Sequence, residues 1–330
     1  MKLKVKTDSK YDVVGIGSAL LDFTVEVDDN FLSGAGLNKG EMYLIDIERS
    51  REIISTLKNY RMETTPGGSS ANTVAGISTF NCKGIFLGKV GNDEHGNIYI
   101  KETENSGVST RIGRDNTSTG HAITFITPDS ERTFATHLGA ALEYKKSDII
   151  DEDIINSRIL HMEGYLFEMP SLYEACLHGM KIARDNGVLI SIDLSDPALI
   201  SRIHHTFKNV LNEYTDIVFV NEEEAKAFTG KTREDALTEL HKMCPFAVVK
   251  LGDDGSLIKY DGMEYKIDAY KTEAVNTNGA GDMYAAGVLY GIANNLGPEK
   301  CGKLGSYASS LVVSQVGARL SSKINPLDII

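Results

Sequence analysis

Short apolar runs closed by glycine alternate along this chain with stretches of helical period. Residues 11–17 read as a buried strand ending in glycines, and 21–27 alternate like a half-exposed strand. Asp28 to Leu32 carries a helix-start signal, and Gly34, Gly36 and Gly40 punctuate the next stretch. Ile53, Ile54 and Leu57 give 48–60 a helical spacing. Residues 66–72 form a tight turn feeding a small-residue helix over 73–80, then a strand over 84–90 and a helix over 93–106.

The middle changes character. Residues 119–127 and 132–136, joined through Pro128, Asp129 and Ser130, predict an antiparallel hairpin. Strand and helix then alternate again: strand 159–162, helix 171–186, strand 188–193, strand 217–220, helices 222–228 and 233–243, and strand 246–250. A hairpin around Asp261 and Gly262 precedes two closing helices, 282–294 and 298–316. Such alternation implies an α/β fold, a mostly parallel sheet covered on both faces. No fixed-period repeat or low-complexity linker interrupts it.

Composition narrows the class. At 330 residues the chain is long enough for one large α/β domain with a small appendage. A formal net charge of −12 argues against a nucleic-acid surface, yet leaves room for a nucleotide, which helix N-termini bind without basic residues. Cys82, Cys176, Cys244 and Cys301 are too scattered for a zinc site or a disulfide framework, so reduced thiols are expected. No stretch approaches a membrane span and the N-terminus lacks an apolar leader core, which together predict a soluble cytoplasmic protein.

The chemistry concentrates at Asn276-Thr277-Asn278-Gly279-Ala280-Gly281-Asp282. Gly279, Ala280 and Gly281 sit at the mouth of a helix whose first N–H groups lack intrahelical partners, and small side chains let those groups close on a phosphate. Asp282 falls in the first turn, placed to receive a proton from a hydroxyl attacking phosphorus. The bland alternative is a turn and a well-begun helix, because Asn-Gly favours turns and the dipole favours an early acid. Competing phosphate motifs fail. Gly15 and Gly17 follow a strand, but Leu20 replaces the third glycine of a dinucleotide fingerprint; Gly230-Lys231-Thr232 ends like a P-loop, but Ala225 stands at its first glycine.

Other stretches add polar groups. Asp22 is either a surface acid on an alternating strand or a carboxylate accepting from adjacent sugar hydroxyls. Gly67 and Gly68 let a ligand lie against the backbone, and Asn72 both donates and accepts; the alternative is a capped Pro-Gly turn. Asn221 and Glu224 open a helix after a strand, as a cap or as holders of hydrated Mg²⁺. Arg132, near the hairpin tip, either swings over a transferring phosphate or is an ordinary exposed arginine.

Together the 68–72 turn, Asn221 with Glu224, and above all the Asn276 to Asp282 run resemble the ribokinase (PfkB) family of carbohydrate and nucleoside kinases. The resemblance implies a doubly wound core (1–18, 49–110 and 139–330), a small discontinuous β-rich lid (19–48 and 111–138), ATP on one side and a sugar-bearing acceptor on the other. It makes Asp282 the base and Gly279, Ala280 and Gly281 the anion hole. It puts Lys250, Gly252 and Gly255 in the adenine-side loop and Ser306 in the helix beside the nucleotide. The chain looks most like the adenosine kinase branch. By that likeness Asp22 and Asn72 hold the ribose, Leu138, Ala140 and Tyr165 line a base pocket, and the helical insert in the lid favours a monomer. Two positions depart from the pattern: Ser18 stands where Asn is usual, and Asn276 replaces the first Asp, which leaves a monovalent-cation site at that turn open.

Overall fold

The computed structural model describes residues 2–129 and 131–330; Met1 and Ser130, which the expected core and hairpin include, lie outside them. Nine strands form one sheet in the order Met263–Ile267, Ser256–Tyr260, Phe246–Lys250, Ile217–Asn221, Leu189–Asp193, Ser157–Glu163, Tyr11–Ile16, Gly84–Gly91 and Ser109–Asp115. All neighbours pair in parallel except around the hairpin of Ser256–Tyr260, which is antiparallel to both of its neighbours.

Apolar residues on both sides of each central strand explain the two helical layers. Leu160, Ile192, Val218 and Val249 bury against the helices Pro170–Asp185, Pro197–Glu213, Glu222–Thr229 and Arg233–His241. Ile159, Leu189, Phe219 and Val248 face the opposite way, into the core that includes Ser69–Thr79 and Ala280–Ala293. Because strand side chains alternate, that second face ends at the C-terminal edge in Glu163, Asp193, Asn221 and Lys250. Polar groups thus gather where open α/β sheets bind ligands.

A second sheet has the order Met42–Leu44, Arg132–His137, Gly120–Ile126, Leu20–Glu26 and Met62–Pro66. Leu21, Phe23, Val25, Ile123, Phe125 and Ala135 are buried with Leu32 and Ile53 from helices and with Leu57, which follows the second of them. Asp22, Ala122, Thr124, Phe134 and Thr136 alternate with them and face a cleft.

Besides Met42–Leu44 and Asp151–Ile155, three elements that escaped the sequence reading show why. Met62–Pro66 completes the small sheet although the expected segment for it closed at 48, and Ser109–Asp115 extends the large sheet past the expected boundary at 110. Both are polar edge strands with no apolar alternation, so periodicity is silent there. The third, helix Pro197–Glu213, carried a readable start signal: Asp196 caps it by accepting from Leu199 N, with Pro197 in the first turn.

Candidate active site

A cleft of about 620 Å³ lies between the two sheets, above the C-terminal edge of the larger one. Gly279 enters the Ala280–Ala293 helix with φ of 77°, in the left-handed region that favours glycine, and an added β-carbon would sit 2.7 Å from Ala318. Asn278-Gly279 is therefore a helix entry and not a hairpin. Ala280 N donates a long 3.3 Å bond to the Thr277 carbonyl, so it is engaged, contrary to the expectation that it faces an anion. Gly281 and Asp282 come next, before the helix can pair their amides, and both line the cleft.

Asp282 is built in from both sides. Its Oδ1 accepts from Ser69 Oγ at 2.7 Å and its Oδ2 from Asn72 Nδ2 at 3.0 Å, both from the first turns of Ser69–Thr79. Burial raises its pKa above the usual carboxylate range, against the lowering by these two donors. Asp22 lines the same cleft from the small sheet, and burial pushes it to about 7, with Arg319 pulling it down and Asp282 adding to the rise.

The strand ends complete the floor. Glu163 accepts from Ser18 N and Ser70 N, each at 2.9 Å, and so ties the two glycine-flanked turns together. Lys250 Nζ lies 2.7 Å from Asp193 Oδ2. Burial opposes its charge, but Asp193 and Glu224 outweigh that and hold its pKa above an ordinary lysine's. Glu224 accepts from Asn221 N at 2.8 Å and Asn221 Nδ2 at 2.7 Å, while Asn221 Oδ1 accepts from Glu224 N. The cap reading of that pair is correct, and both residues nonetheless line the cleft.

Ser18, Asp22, Gly68, Asn72, Leu138, Tyr165, Asn221, Glu224, Lys250, Gly279, Gly281 and Asp282 all meet in this one cleft. Other expected residues do not line it. Ala140 is fully buried away from it, because Gly139–Glu143 is a 3-10 turn in which residues three apart share a face; Ala141 lines the cleft with Leu138. Gly67 backs onto Asp22, and its carbonyl accepts from Tyr99 and Arg319. Arg132 donates to Asn276 Oδ1 at 2.6 Å and Thr277 Oγ1 at 3.2 Å, clipping the hairpin to the loop before Gly279.

Gly252 and Gly255 shape the turn beside a separate cavity of about 500 Å³, lined by Leu251, Asp254, Lys266 and Asp268 among others. Lys250, expected in that same loop, instead directs its ammonium to Asp193 and the turn at Gly281. Ser306 Oγ donates to the Asp268 carbonyl at 2.9 Å and accepts from Tyr270 N at 3.1 Å, holding the wall of the smaller cavity. Ser69, Glu163, Asp193, Glu168 and Arg202 also line the main cleft, none of them singled out from sequence. An acid ending a buried strand was the available signal for Glu163 and Asp193.

Two free amides at a helix entry, a neighbouring ammonium and a half-buried, hydrogen-bonded carboxylate at the C-terminal edge of the sheet are what a phosphotransferase acting on an alcohol requires. The sequence matches the pfkB family carbohydrate kinase over residues 40–325, and the chain belongs to that family. Its fold is ribokinase-like, as expected, and the family uses ATP. An adenosine kinase structure from Sinorhizobium meliloti is 33% identical, covers 96% of this chain and 97% of its own, and has a TM-score of 0.89. The structure of a probable sugar kinase protein from Rhizobium etli is 31% identical over 96% of both chains, with a TM-score of 0.90. A 5-dehydro-2-deoxygluconokinase of Halalkalibacterium halodurans is 27% identical, covering 96% of this chain and 92% of that protein. No helix among the described residues is long and apolar enough to cross a membrane.

Proposed function

We propose that this kinase transfers the γ-phosphoryl group of ATP to the 5′-hydroxyl of a nucleoside, with adenosine the preferred acceptor. The observation that carries the reading is the wall of Leu138, Leu142, Tyr165, Met169 and Leu172 on the cleft that also holds Asp22, Asn72 and Asp282. A flat base suits the apolar wall, and ribose hydroxyls suit the carboxylate and amide. Charge argues the same way. Seven acids but only two basic residues line the cleft, and Lys250 and Arg202 are paired with Asp193 and Glu168. An acceptor bearing its own carboxylate would find no free cation among these residues.

In this mechanism Asp282 orients the hydroxyl and takes its proton late, since the transition state is loose. The amides of Gly281 and Asp282 and the Lys250 ammonium stabilise the charge on the transferring group. The small sheet acts as a lid that excludes water, held by the Arg132 clip. The donor base occupies the cavity beside Gly252 and Gly255, bounded by the segment that Ser306 holds. Among the described residues no three His, Cys, Asp or Glu side chains cluster to grip a bare metal ion, and both Glu224 oxygens already accept from Asn221. That set would suit Mg²⁺ that keeps its waters, and Glu224 and Asn221 are the residues that would hold it. When bound, the ion neutralises phosphate charge.

A free-sugar acceptor is the second reading, favoured by the Ser18, Thr124 and Thr136 side chains on the cleft and by the similarity to a 5-dehydro-2-deoxygluconokinase. A coupled ADP-release assay over adenosine, inosine, ribose, fructose and an acidic sugar decides. Adenosine should give the highest kcat/KM, by at least about tenfold; a sugar ranking first would overturn the nucleoside reading.

A further inference from the structure

Arg319 lies beyond the last long helix, Pro298–Val313, and takes no part in the transfer mechanism as derived from Asp282 and Lys250. Its Nε donates to Asn72 Oδ1 at 2.9 Å, and its terminal nitrogens donate to Thr103 Oγ1 and the Gly67 carbonyl, each at 3.2 Å. Tyr99 Oη donates to that same carbonyl at 3.1 Å. All three acceptors are neutral, so the half-buried guanidinium keeps its charge for what lies beyond them. Beyond Gly67 is Asp22: a β-carbon added to Gly67 would come within 2.6 Å of both carboxylate oxygens.

The Asn72 amide could face Asp282 with either end, donating or accepting. Arg319 offers donors only, so it claims the oxygen and turns Nδ2 towards Asp282 Oδ2, 3.0 Å away. An amide turned the other way would set its oxygen against a carboxylate and its NH₂ against a guanidinium.

We propose that Arg319 is a positioning residue for phosphoryl transfer: it fixes Asn72 as a donor to Asp282 and supplies the counter-charge beside Asp22 on the acceptor side. The proposal rests on the assignment of Asp282 as the base and of Asp22 to the acceptor. The charged groups acting on Asp22 are Arg319, from the C-terminal segment, and Asp282, from the Ala280–Ala293 helix; Arg319 favours its ionised form and Asp282 disfavours it.

The test compares Arg319→Met and Arg319→Lys with the wild type, using whichever acceptor the substrate panel selects. Acceptor affinity is measured by calorimetry from pH 5.5 to 8.5, alongside kcat, KM for ATP and the melting temperature. Arg319→Met should weaken acceptor binding about tenfold or more, move the acid limb of binding to higher pH, and leave KM for ATP within about twofold. Arg319→Lys should return the limb towards its original position while kcat stays about tenfold low, because a point charge does not set an amide's plane. An unmoved acid limb in Arg319→Met, with losses that track only the melting temperature, would reduce Arg319 to a structural bolt. Should Arg319→Met not fold, Arg319→Lys decides alone: wild-type kcat in that variant overturns the proposal. Calorimetric binding does not depend on Asp282 being the base, so failure of that assignment shows separately, as normal turnover in Asp282→Asn.

Discussion

The Lys250 ammonium lies 2.7 Å from Asp193 Oδ2 and also against the turn at Gly281, where an added β-carbon would sit 3.0 Å from Nζ. Lys250 and Gly281 come from distant elements, the end of a parallel strand and the first turn of a helix. Asp193 aims the cation; Gly281 leaves room for it beside unpaired amides. A travelling phosphoryl group would meet both at once.

Gly281→Ala tests that relationship. Alanine suits a helix better than glycine, so the melting temperature should hold or rise slightly. The methyl group would push the ammonium off the turn, and kcat should fall about tenfold with acceptor binding unchanged. Steady-state kinetics with a thermal melt checks both halves; an undiminished kcat would remove Lys250 from the transferring phosphate.

Asp282→Asn tests the base. The variant keeps size and can still accept from Ser69, but it cannot take a proton. Turnover should drop roughly 10²–10⁴-fold while calorimetry still detects the acceptor. The wild-type profile carries a sign set by the raised pKa of Asp282: kcat declines as pH falls through a value above the usual carboxylate range. Residual activity of Asp282→Asn should lack that limb.

Asp22 links function to stability. Burial raises its folded pKa to about 7 from an ordinary 3.8, so the folded state prefers the protonated form. Its contribution to stability is fully present below the unfolded value and is lost as pH rises through about 7. Asp22→Asn should therefore stabilise the ligand-free protein at pH 8 by on the order of 1 kcal/mol, since cleft water screens part of the effect, and give little gain at pH 4. Acceptor affinity should fall at the same time. Melting curves at the two pH values check the first claim and calorimetry the second.

Much of this arrangement was legible in residue order. Buried strands reveal themselves by apolar runs, and the Gly279 to Asp282 turn by small residues ahead of a helix, because both depend on local chemistry. Asp22, Asn72 and Asp282 meet in one cleft as expected. The failures share a different cause. Ala140 and Leu138 differ only by which face of a 3-10 turn they occupy, which composition does not encode. Lys250 was read by its place in a loop, although a long side chain reaches well beyond its own backbone. Arg319 lies 247 positions from Asn72, and no local pattern announces a contact made only by the closed fold.

Glu163 carries the sharpest test of how the two glycine-flanked turns are held. It is 1% exposed, and each oxygen accepts from one backbone amide, Ser18 N and Ser70 N, at 2.9 Å. Burial raises its pKa while those donors oppose the rise, so two N–H groups depend on one buried acid. Glu163→Gln preserves shape but turns one acceptor into a donor facing an N–H. Leaving that amide unpaired costs about 1–3 kcal/mol, and the melting temperature should drop by several degrees. The shifted turn carries Ser69, whose hydroxyl is 2.7 Å from Asp282, so kcat should fall as well. Glu163→Ala removes both acceptors and should be worse on both measures. A Gln variant as stable and active as the wild type would show that the turns hold their positions without the carboxylate.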